Sequence, residues 1–183
     1  MAGPRDIDCA LGRARRRRSS VPRDLRWTMG RRLILVDIEN VIGGECSTEA
    51  RARWAHRRIE DEIGGLPTDC VVVAVDASGL TSVGWEWDRA RRLIGYGENG
   101  ADLALLDVLN ENVDRRFERV VIASGDGIFT EPTVELTGRG VDVTVVAHEC
   151  ALSGRLRLAA SRVVLLSRVG DAGPGDVPAQ RTA

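Results

Sequence analysis

Four aspartates stand where a short apolar run ends or a helical pattern begins. Asp37 closes LILVD, Asp76 closes CVVVAVD, Asp126 follows VVIASG, and Asp102 comes just after Gly97-Glu-Asn-Gly100. Carboxylates brought to one edge of a sheet repel each other, and a dry cluster of them takes up protons. A hydrated divalent cation relieves that repulsion, and hard oxygen donors select Mg2+ or Mn2+ over softer metals. Asp37-Ile-Glu-Asn40 adds the oxygen-bearing side chains of Glu39 and Asn40 in the turn after the first run. Each acid also has an ordinary structural role open to it. An Asp at a strand end caps the next helix, and Asp102 suits the first turn of one. Asp126 stands apart because Gly125 and Gly127 flank it, and small neighbours let a substrate backbone come close.

The elements that must carry these acids alternate along the chain. Apolar, Val-rich runs of strand length lie at 33–37, 70–76, 120–124, 141–147 and 163–167. Their continuous character fits strands covered on both faces, as in parallel sheets. Helical patterns fall between them, at about 48–63, 101–112, 130–139 and 151–161, with Gly64-Gly65 and Gly138/Gly140 as stops. Residues 91–96 read either as an edge strand or as the end of a helix starting at Trp85. The alternation predicts an α/β fold, a three-layer α/β/α sandwich around a mainly parallel sheet of five to six strands with right-handed crossovers. In such sheets ligands bind at the carboxyl ends of the strands, where the aspartates fall.

The chain has 183 residues, which suits one domain; 43% are hydrophobic and 29% charged, as in ordinary soluble proteins. No apolar run is long enough for a membrane span or placed as a signal peptide would be, so a cytoplasmic location without a membrane partner is expected. The net charge of −1 conceals an asymmetry. Residues 1–32 carry ten Arg against three acids, and the remainder carries sixteen Arg against twenty-four. Lysine is absent, which points to a coding bias toward arginine. Residues 1–31, with Arg13-Ala-Arg-Arg-Arg-Arg18, read as a disordered basic arm that could also neutralise phosphates, and Met29 is an alternative start. The domain is expected over 32–168, and the Gly/Pro/Ala-rich 169–183 as a frayed tail. Cys9, Cys46, Cys70 and Cys150 are widely spaced with no CxxC, and read as idle or buried thiols rather than a zinc site.

Three segments in order resemble the NYN family, the PIN-like nucleases related to the 5′-nuclease superfamily. Leu33-Ile-Leu-Val-Asp-Ile-Glu-Asn40 is similar to the family's opening strand with its D-x-x-N. Gly100-Ala-Asp-Leu-Ala-Leu-Leu-Asp-Val-Leu109 is similar to its G-x-D-x-x-L helix. Val121-Ile-Ala-Ser-Gly-Asp-Gly-Ile-Phe129, with Glu135-Leu-Thr-Gly-Arg-Gly-Val-Asp-Val143 after it, resembles S-G-D-x-D-F … G-x-x-V. The resemblance covers roughly residues 33–147. It implies a PIN-like sandwich and a metal-dependent ribonuclease in which Asp37, Asp102 and Asp126 bind Mg2+ or Mn2+ and serve as the catalytic acids. Asn40 would support the metal or the scissile phosphate, and Ser124 and the Gly125 backbone would shape the turn. The shared mechanism is attack on phosphorus by a metal-activated water, in full form with two ions about 3.5–4 Å apart. RNA is the implied partner, and a homodimer is left open.

The pattern is broken at one position. Where the family motif has its second aspartate, this chain has Ile128, which cannot ligate a metal; Glu131, one turn on, is the substitute to consider. With that acid lost, a catalytically degenerate module that binds RNA or protein is the alternative. A haloacid-dehalogenase-type phosphatase also begins with a strand-end Asp, but needs a second Asp where Glu39 stands and normally a lysine. Arg91 and Arg92 are candidates to bind substrate phosphates, or form a solvated helix face. Trp85 and Trp87 offer stacking surfaces for bases, or pack.

Overall fold

The strands are β1 (Arg32–Asp37), β2 (Cys70–Asp76), β3 (Arg91–Gly95), β4 (Arg119–Ala123), β5 (Asp142–His148) and β6 (Arg162–Leu166). The computed structural model describes residues 30–77 and 79–166. The arm up to Met29 and the 169–183 tail therefore lie outside the described residues. All six strands pair in parallel, in the order β3-β2-β1-β4-β5-β6. The ambiguous segment 91–96 is a strand at one edge, paired to β2 with Asp76 opposite Gly95.

Side chains alternate across each strand, so one apolar run serves two cores. Leu33, Leu35, Val120 and Ile122 face one side, where Leu105, Phe117, Leu136 and Leu156 cover them. Ile34, Val36, Val73 and Val121 face the other, under Ala52, Ala55, Ile59 and Val83. The covering helices on the second side are α1 (Ile38–Ile42), α2 (Glu49–Ile63) and α3 (Leu80–Glu86). On the first they are α4 (Gly100–Leu109), α5 (Val113–Arg116), α6 (Thr130–Gly138) and α7 (Gly154–Ala159). The result is a three-layer α/β/α sandwich. No helix among the described residues is long and apolar enough to cross a membrane.

Three local departures from the sequence pattern have physical causes. The turn after β1 is a short helix, α1, capped by Asp37 and stopped at Gly43, whose φ is 75°. The helical pattern at 101–112 stops at Leu109, and Asn112 enters the left-handed region at φ 54° before α5 begins. The last helix starts at Gly154 rather than 151, because residues 151–153 run across the turn after β4, where the Ser153 N–H donates to the Gly125 carbonyl at 2.8 Å.

Strand order places the functional end of the sheet. From β1 the chain steps outward to β2 and β3; it then returns to lay β4 on the other side of β1 and steps outward again. The crossovers diverge between β1 and β4, leaving a crevice at their carboxyl ends where ligands of open α/β sheets bind.

Candidate active site

Asp37 is the last residue of β1 and is buried, 5% exposed. Its Oδ1 accepts from the Asn40 N–H at 3.2 Å, and its Oδ2 from the Ser124 hydroxyl at 3.1 Å. Ser124, wholly buried at the end of β4, also accepts from the Asp126 N–H at 3.2 Å. Asn40 reaches across the same gap, its Oδ1 accepting from the Gly125 N–H at 2.9 Å. Side-chain hydrogen bonds thus stitch the crevice between β1 and β4, where the backbone ladder has ended. Asp126 itself is exposed, and its Oδ1 is held by the Ile128 N–H at 2.9 Å.

Asp102 arrives from the other face, in the first turn of α4. Two glycines make this approach possible. A Cβ on Gly95 would lie 2.2 Å from the Ala101 nitrogen, and one on Gly100 would lie 2.8 Å from the Gly95 carbonyl carbon. Backbone therefore touches backbone where β3 ends and α4 begins, which brings α4 down onto the carboxyl edge of the sheet.

Asp37, Glu39, Asn40, Asp76 and Asp102 line one cavity of about 290 Å3, walled otherwise by Gly95, Gly97, Asn99, Gly100 and Ala101. Among the described residues no cationic side chain lines it. Asp126 stands outside that lining, but its charge reaches Asp102. The structure thus brings Asp37 and Asp102 together with Asp126 beside them, and adds Glu39 and Asp76. Asp76 is visible as a strand-end acid, yet only the pairing of β2 beside β1 carries it to the same edge. Glu39 joins through α1, and its Oε1 accepts from the Asp76 N–H at 3.0 Å.

The electrostatics follow from this crowding. Burial, and then the negative charge of Asp102, pushes the Asp37 carboxyl up from 3.8 to about 7. Asp102 is raised by burial and by the charge of Asp126, opposed by a hydrogen bond with Asp37. Glu39 is raised by burial, with the charges of Asp76 and Asp102 adding to it. Asp76 Oδ1 and Asp102 Oδ1 are buried without a hydrogen-bond partner. Buried oxygens of this kind are normally satisfied, and an orphan calls for an unseen water or ion. Hard oxygens that repel one another while lacking donors suit a Mg2+- or Mn2+-like cation. No three of His, Cys, Asp and Glu among the described residues are gathered into one coordination shell.

Placement moves Arg91 and Arg92 away from the carboxylates and bears on the alternatives left open at Glu131, Gly125 and Trp87. Arg91 and Arg92 begin β3, opposite Val72 and Val73, whereas the carboxylates gather past its other end. Four residues of strand, on the order of 13 Å, separate Arg91 from Gly95. Arg91 pairs there with Glu111 at 2.7 Å, and Arg92 Nη1 donates to the Trp87 carbonyl at 3.5 Å. Glu131 does not replace the missing acid; it lines a separate cavity of about 570 Å3 together with Ile128, Leu106 and Leu109. Gly125 is required by packing rather than by an approaching substrate, since a Cβ there would lie 2.5 Å from the Ala151 carbonyl oxygen. Trp87 is a packing residue, 4% exposed, with its ring 4.2 Å from that of His56.

No family model and no curated protein matches the sequence. Among solved structures, a protein of unknown function from Vibrio parahaemolyticus is similar in fold, with a TM-score of 0.52 at 19% identity. The match covers 75% of this chain and 93% of that one. The likeness extends to the fold.

Proposed function

We propose that the chain is a metal-dependent ribonuclease, hydrolysing RNA phosphodiester bonds in an acidic pocket that takes Mg2+ or Mn2+. One observation carries this reading: Asp37, Glu39, Asp76 and Asp102 share a cavity over the carboxyl ends of β1, β2 and β3, with no cation among the described residues that line it. A phosphodiester would be repelled from such a pocket unless a divalent ion preceded it. RNA as the substrate rests on the likeness of the three segments to the NYN pattern.

Bound there, a divalent ion would lower the pKa of a water and neutralise phosphate oxygens. Asp37 and Asp102 are the acids placed to hold it, with Asp126 beside them. Ser124 and the Asn40 N–H keep the Asp37 carboxylate aimed, and the Gly95–Gly100 contact sets the reach of Asp102. Asp126 Oδ1 accepts from the Ile128 N–H, and Oδ2 would be the oxygen it offers to a bound ion or its water. Burial and the charge of Asp102 push the Asp37 carboxyl up, so loading of the pocket would release a proton from it.

The test is cleavage of labelled single-stranded and structured RNA with Mn2+ or Mg2+, by the full chain and by Asp126→Asn. Metal-dependent cleavage that disappears in the variant is expected. Equal cleavage by both proteins would sink the site assignment, and hydrolysis of small phosphate monoesters instead would indicate a phosphatase. A second reading, RNA binding without cutting, draws on Ile128: it packs against the apolar core where the family pattern has an acid. Binding with no cleavage by either protein would favour it.

A further inference from the structure

Tyr96 is the sole tyrosine of the chain, and 77% of its surface is open. It lies between Gly95 and Gly97, both of which line the carboxylate cavity. Glycine neighbours provide no side chain to cover the ring, and a Cβ on Gly97 would meet nothing within 4 Å. The exposed ring thus belongs to the stretch of backbone that borders the pocket, beyond the end of β3, where Gly95 pairs with Asp76. An aromatic ring gains by covering its face, and folding has left this one uncovered. A nucleobase is flat and neutral, so it can approach the acidic rim that repels a phosphate. Bases in a duplex are already stacked on one another; those of a single strand are free to stack on a side chain.

We infer that Tyr96 is a stacking platform for one base of a single-stranded nucleic acid whose adjacent phosphate enters the carboxylate cavity. The inference rests on the proposed phosphodiester site and names the form of its substrate. Tyr96 is a positioning residue: it touches a base and leaves the reacting atoms to the acids.

The experiment measures binding of a short labelled single-stranded RNA to the full chain, to Tyr96→Phe and to Tyr96→Ala. An abasic strand of the same length and a duplex serve as competing ligands. Stacking on one aromatic contributes about 1–3 kcal/mol, so Tyr96→Ala should bind the intact strand at least about fivefold more weakly. Tyr96→Phe, which keeps the ring, should bind as the parent does. The parent should lose affinity for the abasic strand by a similar factor, and Tyr96→Ala should lose little. Equal binding of the intact strand by all three proteins, at any affinity or none, overturns the inference; so does duplex bound as tightly as single strand. Cleavage with Mn2+, assayed in parallel, separates the two ideas. Cleavage that depends on Asp126 but ignores Tyr96 defeats the stacking role alone. Tyr96-dependent binding without cleavage defeats the nuclease reading alone.

Discussion

The Ser124 hydroxyl donates to Asp37 Oδ2 at 3.1 Å while accepting the Asp126 N–H at 3.2 Å, so one buried oxygen joins the acids at the ends of β1 and β4. Its bond to Asp37 lowers that carboxyl's pKa against the burial that raises it. Ser124→Ala removes both bonds. A hydrogen bond to a charged group contributes about 1.5–3 kcal/mol, and about 1.4 kcal/mol corresponds to a factor of ten. Asp37 will hold its proton more firmly, so Mn2+ must displace it at greater cost. Calorimetric titration should show Mn2+ affinity at pH 7 reduced about tenfold or more, with the difference narrowing at higher pH. Equal affinity at pH 7 would mean that the hydroxyl does not tune the site.

The pKa of Asp37 also sets a pH dependence of stability without metal. Its folded value is about 7 against an ordinary 3.8, so between these limits the folded chain holds a proton that the unfolded chain has released. Stability then falls as pH rises through this window, and levels off above it. Asp102 and Glu39, raised as well, act in the same direction. Asp37→Asn mimics the protonated acid and cannot ionise. In chelator, the variant's thermal midpoint should gain on the parent's by several degrees between about pH 4 and pH 7.5. A difference that stays constant over that range would exclude an ionisation penalty at Asp37.

The helix-to-strand contact beneath Asp102 is open to test through Gly95. In Gly95→Ala the new Cβ would meet the Ala101 backbone at 2.2 Å, so β3 and α4 must part. Overpacking of this kind typically costs about 1–3 kcal/mol, and here it also displaces Asp102. Both a lower thermal midpoint and weaker Mn2+ binding are expected. Gly138→Ala is the control: nothing lies within 4 Å of its Cβ, and alanine favours the helix. Its midpoint should equal or exceed the parent's. If both variants behave alike, the Gly95–Gly100 contact does not position the site.

The limits of the sequence are visible at particular residues. Asp37 and Asp126 could be read because each stands at or just past the end of an apolar run, and the carboxyl ends of parallel strands share one edge. Asp76 had the same signature, but membership of the site depended on β2 lying beside β1, a matter of sheet order. Glu39 was visible beside Asp37 in the turn after β1, but its hydrogen bond with the Asp76 N–H depends on β2 lying next to β1. Arg91 and Arg92 misled because closeness to Asp102 along the chain is not closeness in space: β3 runs from the arginines toward the cavity, leaving them at its far end. Gly125 shows a different limit. A bare turn looks the same in sequence whether ligand or backbone fills the space, and here the 151–153 segment fills it.

Ile128 is the position at which the acidic pattern is broken, and its surroundings indicate what restoring the acid would do. It is partly buried against the core cluster that includes Phe129, Leu105 and Leu136. It also lines the cavity shared with Leu106 and Glu131 rather than the one shared by Asp37 and Asp102. A carboxylate introduced there would face the cavity lined by Leu106, Leu109, Asn110, Glu131 and Arg139 instead of the pocket. Burying an aliphatic side chain fully contributes about 1.5–3 kcal/mol, and part of that would be lost. Ile128→Asp should therefore unfold at a lower temperature in chelator, by a few degrees, with the number of Mn2+ ions bound per chain unchanged in calorimetric titration. Cleavage should not rise. A second bound ion with faster cleavage would show instead that this turn can swing its side chain into the pocket, and that the missing acid alone separates the site from a two-ion centre.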